Sequence, residues 1–121
     1  MTDKFITGQQ GEQAVVDWLR QHGFMIVERN WREAYREIDI IATRYGVLHF
    51  VEVKSRRVGS LQSGEEAVDS AKCRTLRRVA QSYMRQHRIY GDVQFDVAAV
   101  DVAADGTCDV RYIERAIEYG W

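Results

Sequence analysis

Apolar residues in the first part of the chain recur at helical spacing. Ala14, Val15, Val16, Trp18 and Leu19 line one arc of a helix predicted over residues 8–22. Gly23 ends it, because glycine takes the left-handed conformation that a helix terminus needs. The period then shortens to that of strands. Residues 24–30 (FMIVERN), 36–44 and 47–54 read as strands, and Tyr45-Gly46 suits a tight hairpin between the last two. Residues 55–64 (SRRVGSLQSG) have two glycines and no apolar period, so they read as a loop. Helical spacing returns over residues 65–87 through Val68, Ala71, Leu76, Val79, Ala80, Tyr83 and Met84. Acidic residues in its first turn and basic ones in its last complement the helix dipole. Residues 93–102 (VQFDVAAVDV) form another strand and 109–114 a weaker one. The order α-β-β-β-α-β-β predicts an α/β domain: a mixed β-sheet flanked by helices. VLHFVEV, apolar on both faces until its end, is the expected central strand.

Composition narrows this picture. A chain of 121 residues, 45% hydrophobic and 29% charged, suits one globular domain over residues 1–121 rather than a disordered chain. No stretch is long and apolar enough to span a membrane, and the N-terminus lacks a signal-peptide pattern. Cys73 and Cys108 have no metal-ligand spacing, and free thiols in a reducing, cytoplasmic setting are the expectation. The net charge of −1 hides a segregation. Residues 50–90 carry nine basic against four acidic groups, and residues 91–121 two basic against seven acidic. A basic middle suits a polyanion, although a solvated helix face would give the same count.

The carboxylates change the picture most. Strand alternation puts Glu37, Asp39 and Ile41 on one face and Ile38 and Ile40 on the other. In the next strand Leu48, Phe50, Glu52 and Lys54 share a face opposite Val47, His49, Val51 and Val53. The hairpin can therefore set Asp39 and Glu52 on the same side. Two carboxylates on a half-buried sheet repel unless one binds a proton or a divalent cation intervenes. Hard oxygen ligands are what Mg²⁺ takes. Glu12 falls inside the apolar arc of the first helix, where a carboxylate needs a partner. Lys54 adds an ammonium that can orient water or stabilise charge developing on phosphorus oxygens. The bland alternatives are a dipole-stabilised Glu12 and a surface Glu52–Lys54 pair. His22, His49 and His87 have no mutual ligand spacing and read as structural.

Asp39 followed by Glu52-Val53-Lys54 resembles the PD-(D/E)xK nuclease superfamily, with its restriction-endonuclease-like fold. Glu12 resembles the extra acidic residue of the archaeal Holliday-junction resolvases. GEQAVVDWL, VERNWR, EIDIIA, HFVEVKSR, EEAV and QFDVAAV, in this order, resemble the small bacterial YraN-like family across residues 8–100. Ile38 stands where the superfamily often has proline, and Arg36 where the family usually has glycine; Arg36 could pair with Glu37 or meet a phosphate.

The resemblance implies Mg²⁺- or Mn²⁺-dependent hydrolysis of phosphodiesters in structured or branched DNA. It implies Glu12, Asp39, Glu52 and the Val53 carbonyl as ligands, with Lys54 as the catalytic cation. Arg56 and Arg57, beside the strand end, and Lys72, Arg74, Arg77, Arg78 and Arg85 on the long helix would then meet phosphates. Arg32 and Trp31, in an expected NWR turn, would contact backbone or a base, with a core role the safer expectation for Trp31. A homodimer fits such an activity, since cutting a junction takes two sites. Two other readings stay open. One is a non-catalytic nucleic-acid-binding module of a DNA-processing complex. The other is an interaction protein that docks through its acidic C-terminal part.

Overall fold

A computed structural model describes residues 3–34, 36–59 and 70–116. Its elements follow the predicted order: α1 (Asp3–Gln21), β1 (Met25–Glu33), β2 (Arg36–Arg44), β3 (Val47–Arg57), α2 (Ser70–Gln86), β4 (Val93–Val102) and β5 (Cys108–Ile113). The strands form one sheet in the order β1-β2-β3-β4-β5. Neighbours are antiparallel except β3 and β4. That parallel pair needs a crossover, and α2 lies within it. The mixed α/β architecture is the one expected, with β3 in the middle.

Each face of the sheet has its own core. On one face α1 contributes Val15, Val16 and Leu19, which pack with Phe24, Ile40, Val51, Ala98 and Val100. On the other, Leu76, Val79, Ala80 and Tyr83 of α2 pack with Ile38, Ile41 and Phe50. Val51 and Phe50 thus serve opposite cores from adjacent positions, which is why this strand is apolar on both faces. Among the described residues no helix is long and apolar enough to cross a membrane.

The turns follow local backbone chemistry. Tyr45 and Gly46 both have positive φ, 53° and 75°, as a two-residue hairpin with the sheet's own twist requires. Gly23 sits at φ 84° just beyond α1.

Several boundaries differ from expectation, and pairing explains two of them. β1 continues through Trp31, Arg32 and Glu33 because each pairs with β2. The segment NWR is therefore strand, not turn. β3 continues through Ser55, Arg56 and Arg57, which pair in parallel with Val100, Asp101 and Val102. These residues lack apolar alternation, so only their partner strand makes them β. Helix α1 begins at Asp3, earlier than the apolar arc indicated. Residues 65–69, the expected start of the second helix, lie outside the described residues, as do 60–64 of the expected loop.

Candidate functional site at a fork in the sheet

The pairing of β2 with β3 stops short. Its last partners away from the hairpin are Ile40 and Val51. Beyond them β2 stays with β1 as far as Arg36, while β3 stays with β4 as far as Arg57. The two central strands therefore fork, and continuing their register would set Asp39 against Glu52.

Alternation breaks at the same place. Ile38 belongs to the α2 core and Ile40 to the α1 core, so these two do not share a face as a regular strand would require. β1 shows the matching break: Arg29 reaches Glu12 on α1, whereas Trp31 packs in the α2 core. Between them Asn30 adopts φ 53°, and the register places it across from Asp39. A left-handed residue changes the phase of its strand, and asparagine tolerates that conformation better than most. With the phase broken, Asp39 turns towards the fork. Its Oδ2 accepts a hydrogen bond from the Val53 backbone N–H at 2.8 Å. Asp39 thus closes a gap in the ladder, since that N–H lies beyond the last β2 partner.

The electrostatics follow from this placement. Burial first, and then the neighbouring Glu52 carboxylate, push Asp39 up to about 8, although the Val53 N–H pulls the other way. Glu52 is almost fully buried, with its Oε1 3.0 Å from Lys54 Nζ. The Lys54 side chain is equally enclosed, at 11% exposed. Such a pair is not the solvated surface ion pair that a strand end often carries.

Glu12 comes close by a different route. Gly11 lies directly against β3: a Cβ there would stand 1.8 Å from Ser55 Oγ and 2.8 Å from Ser55 Cβ. Only glycine allows that approach. It seats α1 on β3, so the next residue, Glu12, extends across to β1. There Glu12 Oε1 accepts from Arg29 Nε and from Asn30 Nδ2, both at 3.0 Å. The carboxylate inside the apolar arc therefore has protein partners. One of them, Asn30, faces Asp39 across the sheet. Glu12, Asp39 and Glu52 share a neighbourhood but do not close into a ligand sphere. Among the described residues, the one group of His, Cys, Asp or Glu ligand atoms mutually within 4.8 Å is elsewhere, at His49, Asp96 and Glu114. Val53 belongs to this neighbourhood through its N–H on Asp39.

The basic residues divide. Arg56 leaves β3 next to the fork, and its Nε bonds Asp101 Oδ1 at 2.7 Å. That hydrogen bond, helped by the charges of Arg56 and Arg111, outweighs burial and holds Asp101 below the usual carboxylate range. Arg57 ends the same strand, exposed. Arg32 is strand rather than turn, is 74% exposed, and pairs with Glu37 at 2.8 Å. Glu37 thus takes Arg32, not the expected Arg36, as its partner. Trp31 packs edge-on against Tyr83 in the α2 core. Arg77 is exposed on α2 and lines a cavity with Val47 and Gln94 at the hairpin end, on the order of 20 Å along the strand from Lys54. Lys72 falls within α2, but its side chain lies outside the described residues, as do those of Arg74 and Cys73.

A second polar cluster had no motif to mark it. Asp96 of β4 is fully buried, and four donors converge on it. His49 Nδ1 (2.7 Å) and Tyr112 Oη (2.5 Å) reach Oδ2; Gln94 Nε2 (3.0 Å) and Arg115 N (2.9 Å) reach Oδ1. Burial alone would raise Asp96, but these donors outweigh it and hold the carboxyl below its ordinary value. The signal available in the sequence was a lone aspartate in the apolar run VQFDVAAV, which has to find a partner. His49, expected to be structural, is that partner.

The sequence profile of the uncharacterised protein family UPF0102 matches residues 11–100. A relative from Porphyromonas gingivalis is 43% identical over 108 residues, covering 89% of this chain and 80% of its own. One from Bacteroides thetaiotaomicron is 38% identical over 109 residues, covering 90% and 89%. One from Methylococcus capsulatus is 38% identical over 113 residues, covering 93% and 91%. These relatives are named only as members of the same family, and with the profile spanning the whole fork, from the helix over it to the strand beside it, the chain belongs to UPF0102.

Proposed function

We propose that the fork is the metal site of a phosphodiester-cleaving enzyme of the PD-(D/E)xK type, acting on structured or branched DNA. One observation carries this reading: two enclosed carboxylates, Asp39 and Glu52, lie close enough for one to raise the other, and Lys54 bonds the second. The donors fit Mg²⁺ or Mn²⁺, because a divalent ion would offset both the burial and the Glu52 repulsion that keep a proton on Asp39. Asp39 and Glu52 would hold the ion, with the Val53 carbonyl beside them. Arg29 and Asn30 both bond Glu12 Oε1, so Glu12 would join through Oε2. The bound ion would supply Lewis acidity towards a phosphodiester oxygen and acidify water. Lys54 offers a fixed positive charge to the oxygens that gain negative charge at phosphorus. Arg57 and Arg56, at the end of the same strand, would hold the sugar–phosphate backbone.

A second reading keeps the fold as a non-catalytic nucleic-acid-binding module. The engagement of Glu12 by Arg29 and Asn30 favours it. Calorimetric titration of Mg²⁺ and Mn²⁺ separates the two readings, followed by cleavage assays on linear, flapped and four-way DNA. The enzyme reading expects binding that weakens about tenfold or more in Asp39→Asn and in Glu52→Gln. It also expects Lys54→Met to keep the ion and lose cleavage. Wild-type protein that binds neither ion and cuts nothing ends the enzyme reading. If that protein still retains DNA at low salt, the binding module stands.

A further inference from the structure

Two clefts lie at the hairpin end of β3, away from the fork. Arg44 and Glu114 line one, of about 400 Å³. Arg77 of α2 lines the other, of about 610 Å³, with Asp92, Val93 and Phe95. Gln94 and Arg115 belong to both, so the clefts adjoin at Arg115.

Arg115 is held by its backbone. It lies just beyond β5, where its N–H donates to the buried Asp96 Oδ1 at 2.9 Å, and the next residue, Ala116, is fully buried. Between these fixed points Arg115 takes φ 54°, a left-handed conformation that is costly for a residue with a Cβ. Arg115 itself is exposed, and its guanidinium makes no hydrogen bond or ion pair with a described residue. Arg77 is likewise exposed and unpaired among the described residues. Other arginines are engaged: Arg29 by Glu12, Arg32 by Glu37, Arg44 by Glu114 and Arg56 by Asp101.

The larger cleft therefore sets two uncommitted guanidiniums against one carboxylate, Asp92. The excess positive charge favours an anion, and the guanidinium fork matches paired phosphate oxygens. The remaining walls suit what carries the phosphate. Val93 and Phe95 are apolar and partly buried. Gln94 gives its Nε2 hydrogen to Asp96, which leaves its Oε1 as an acceptor beside Asp92. Such acceptors fit a sugar hydroxyl or a base amino group.

We propose that Arg77 and Arg115 bind the phosphate group of a nucleotide in this cleft, either free or within a DNA strand. The cleft lies on the order of 20 Å along β3 from Lys54, a span of about six base-pair steps. In its strand form the inference rests on the function proposed above and gives the DNA a second anchor, remote from the fork.

Fluorescence anisotropy of a labelled single-stranded DNA of about 20 nucleotides, in EDTA, tests the site with neither cleavage nor a metal ion at the fork. Arg77→Gln and Arg115→Gln should each weaken binding about threefold or more, and lower the slope of log affinity against log salt by about one. Both change exposed side chains and keep the Arg115 N–H on Asp96, so the fold should survive. Arg20→Gln removes the same charge from an exposed arginine of α1 that lines neither cleft, and should change affinity little. Inorganic phosphate and adenosine monophosphate, titrated against isotope-labelled protein and followed by NMR, are the free-ligand arms. A saturable shift of the Arg115 Nε–H signal with either one assigns a free phosphate compound. DNA binding that weakens in both variants without such a shift assigns a strand. Three results would overturn the site: wild type binding none of the three probes, both variants binding them like wild type, or Arg20→Gln weakening DNA binding as much as they do. Failure to bind Mg²⁺ or to cleave would end the enzyme reading and leave these outcomes unchanged.

Discussion

Asp39 and Asp96 are two enclosed aspartates of one sheet, and they titrate in opposite directions. Asp96 collects four donors, from three strands and from just beyond β5, and it stays ionised below its ordinary value. Among the described residues Asp39 has one backbone donor, the Val53 N–H, and faces the carboxylates of Glu52 and Glu37. Burial followed by Glu52 sends it up to about 8. Both carboxyls lose water, so burial cannot explain the difference. What surrounds each one does. Asp96 is satisfied and acts as scaffold for His49. Asp39 is left to hold a proton up to about 8, and the proposed metal site would exchange that proton for a cation.

The contrast can be broken most sharply at Asp96. Asp96→Asn puts amide hydrogens against groups that already donate, and should cost roughly 3 kcal/mol or more. Urea unfolding at neutral pH measures it. A loss under about 1 kcal/mol would mean that the four donors are not jointly satisfied there, and that the contrast with Asp39 is wrong. The wild-type contribution of Asp96 is full above the ordinary carboxyl range. It fades as pH falls from the ordinary value through the lowered one.

Asp39→Asn should act the other way. The wild-type carboxyl moves from 3.8 in the open chain to about 8 in the fold. Between those values the folded chain keeps a proton that the unfolded chain has released, so wild-type stability declines as pH rises across the window. Above it the penalty is constant. An asparagine at this position cannot ionise, so the variant should gain about 1–3 kcal/mol over wild type at about pH 9 and little at about pH 4. The figure lies below the full linkage value because water screens the site. Thermal melts across that range check it. Equal pH profiles for the two proteins would show that Asp39 is ordinary.

The smallest effect concerns the ion. Below a pH of about 8 a metal must displace the proton held by Asp39. Mg²⁺ affinity should therefore rise about tenfold, or ~1.4 kcal/mol, per pH unit towards that value and then level off. Titrations at several pH values, in buffers of different ionisation enthalpy, would detect the released proton. An affinity flat with pH, in a protein that does bind, would remove Asp39 from the ligand set.

Much of the fold is legible along the chain because period and turn chemistry are local. Gly23, Tyr45-Gly46 and the apolar faces of β3 state their roles within a few residues. Asp39, Glu52 and Lys54 could be picked out because charge at the end of an apolar strand breaks that strand's own pattern. The fork could not be read. It depends on where the β2–β3 pairing stops, and Asn30 on a third strand marks that point. Arg56 and Arg57 look like loop until β4 pairs with them, since their backbone bonds depend on a partner about 45 residues away, a separation no local period spans.

By itself the sequence determined the elements, their order, the central strand and the carboxylates that one hairpin could bring together. Tertiary structure alone decided that Glu12 meets Arg29 and Asn30, that Asp39 faces Glu52 with the Val53 N–H as donor, and that Asp96 gathers His49, Tyr112, Gln94 and the Arg115 N–H. The physical reason is register across a crossover. His49 and Asp96 are 47 positions apart and meet through the parallel pairing of β3 with β4. No local period carries that pairing, because it is set when the strands and both helices pack together.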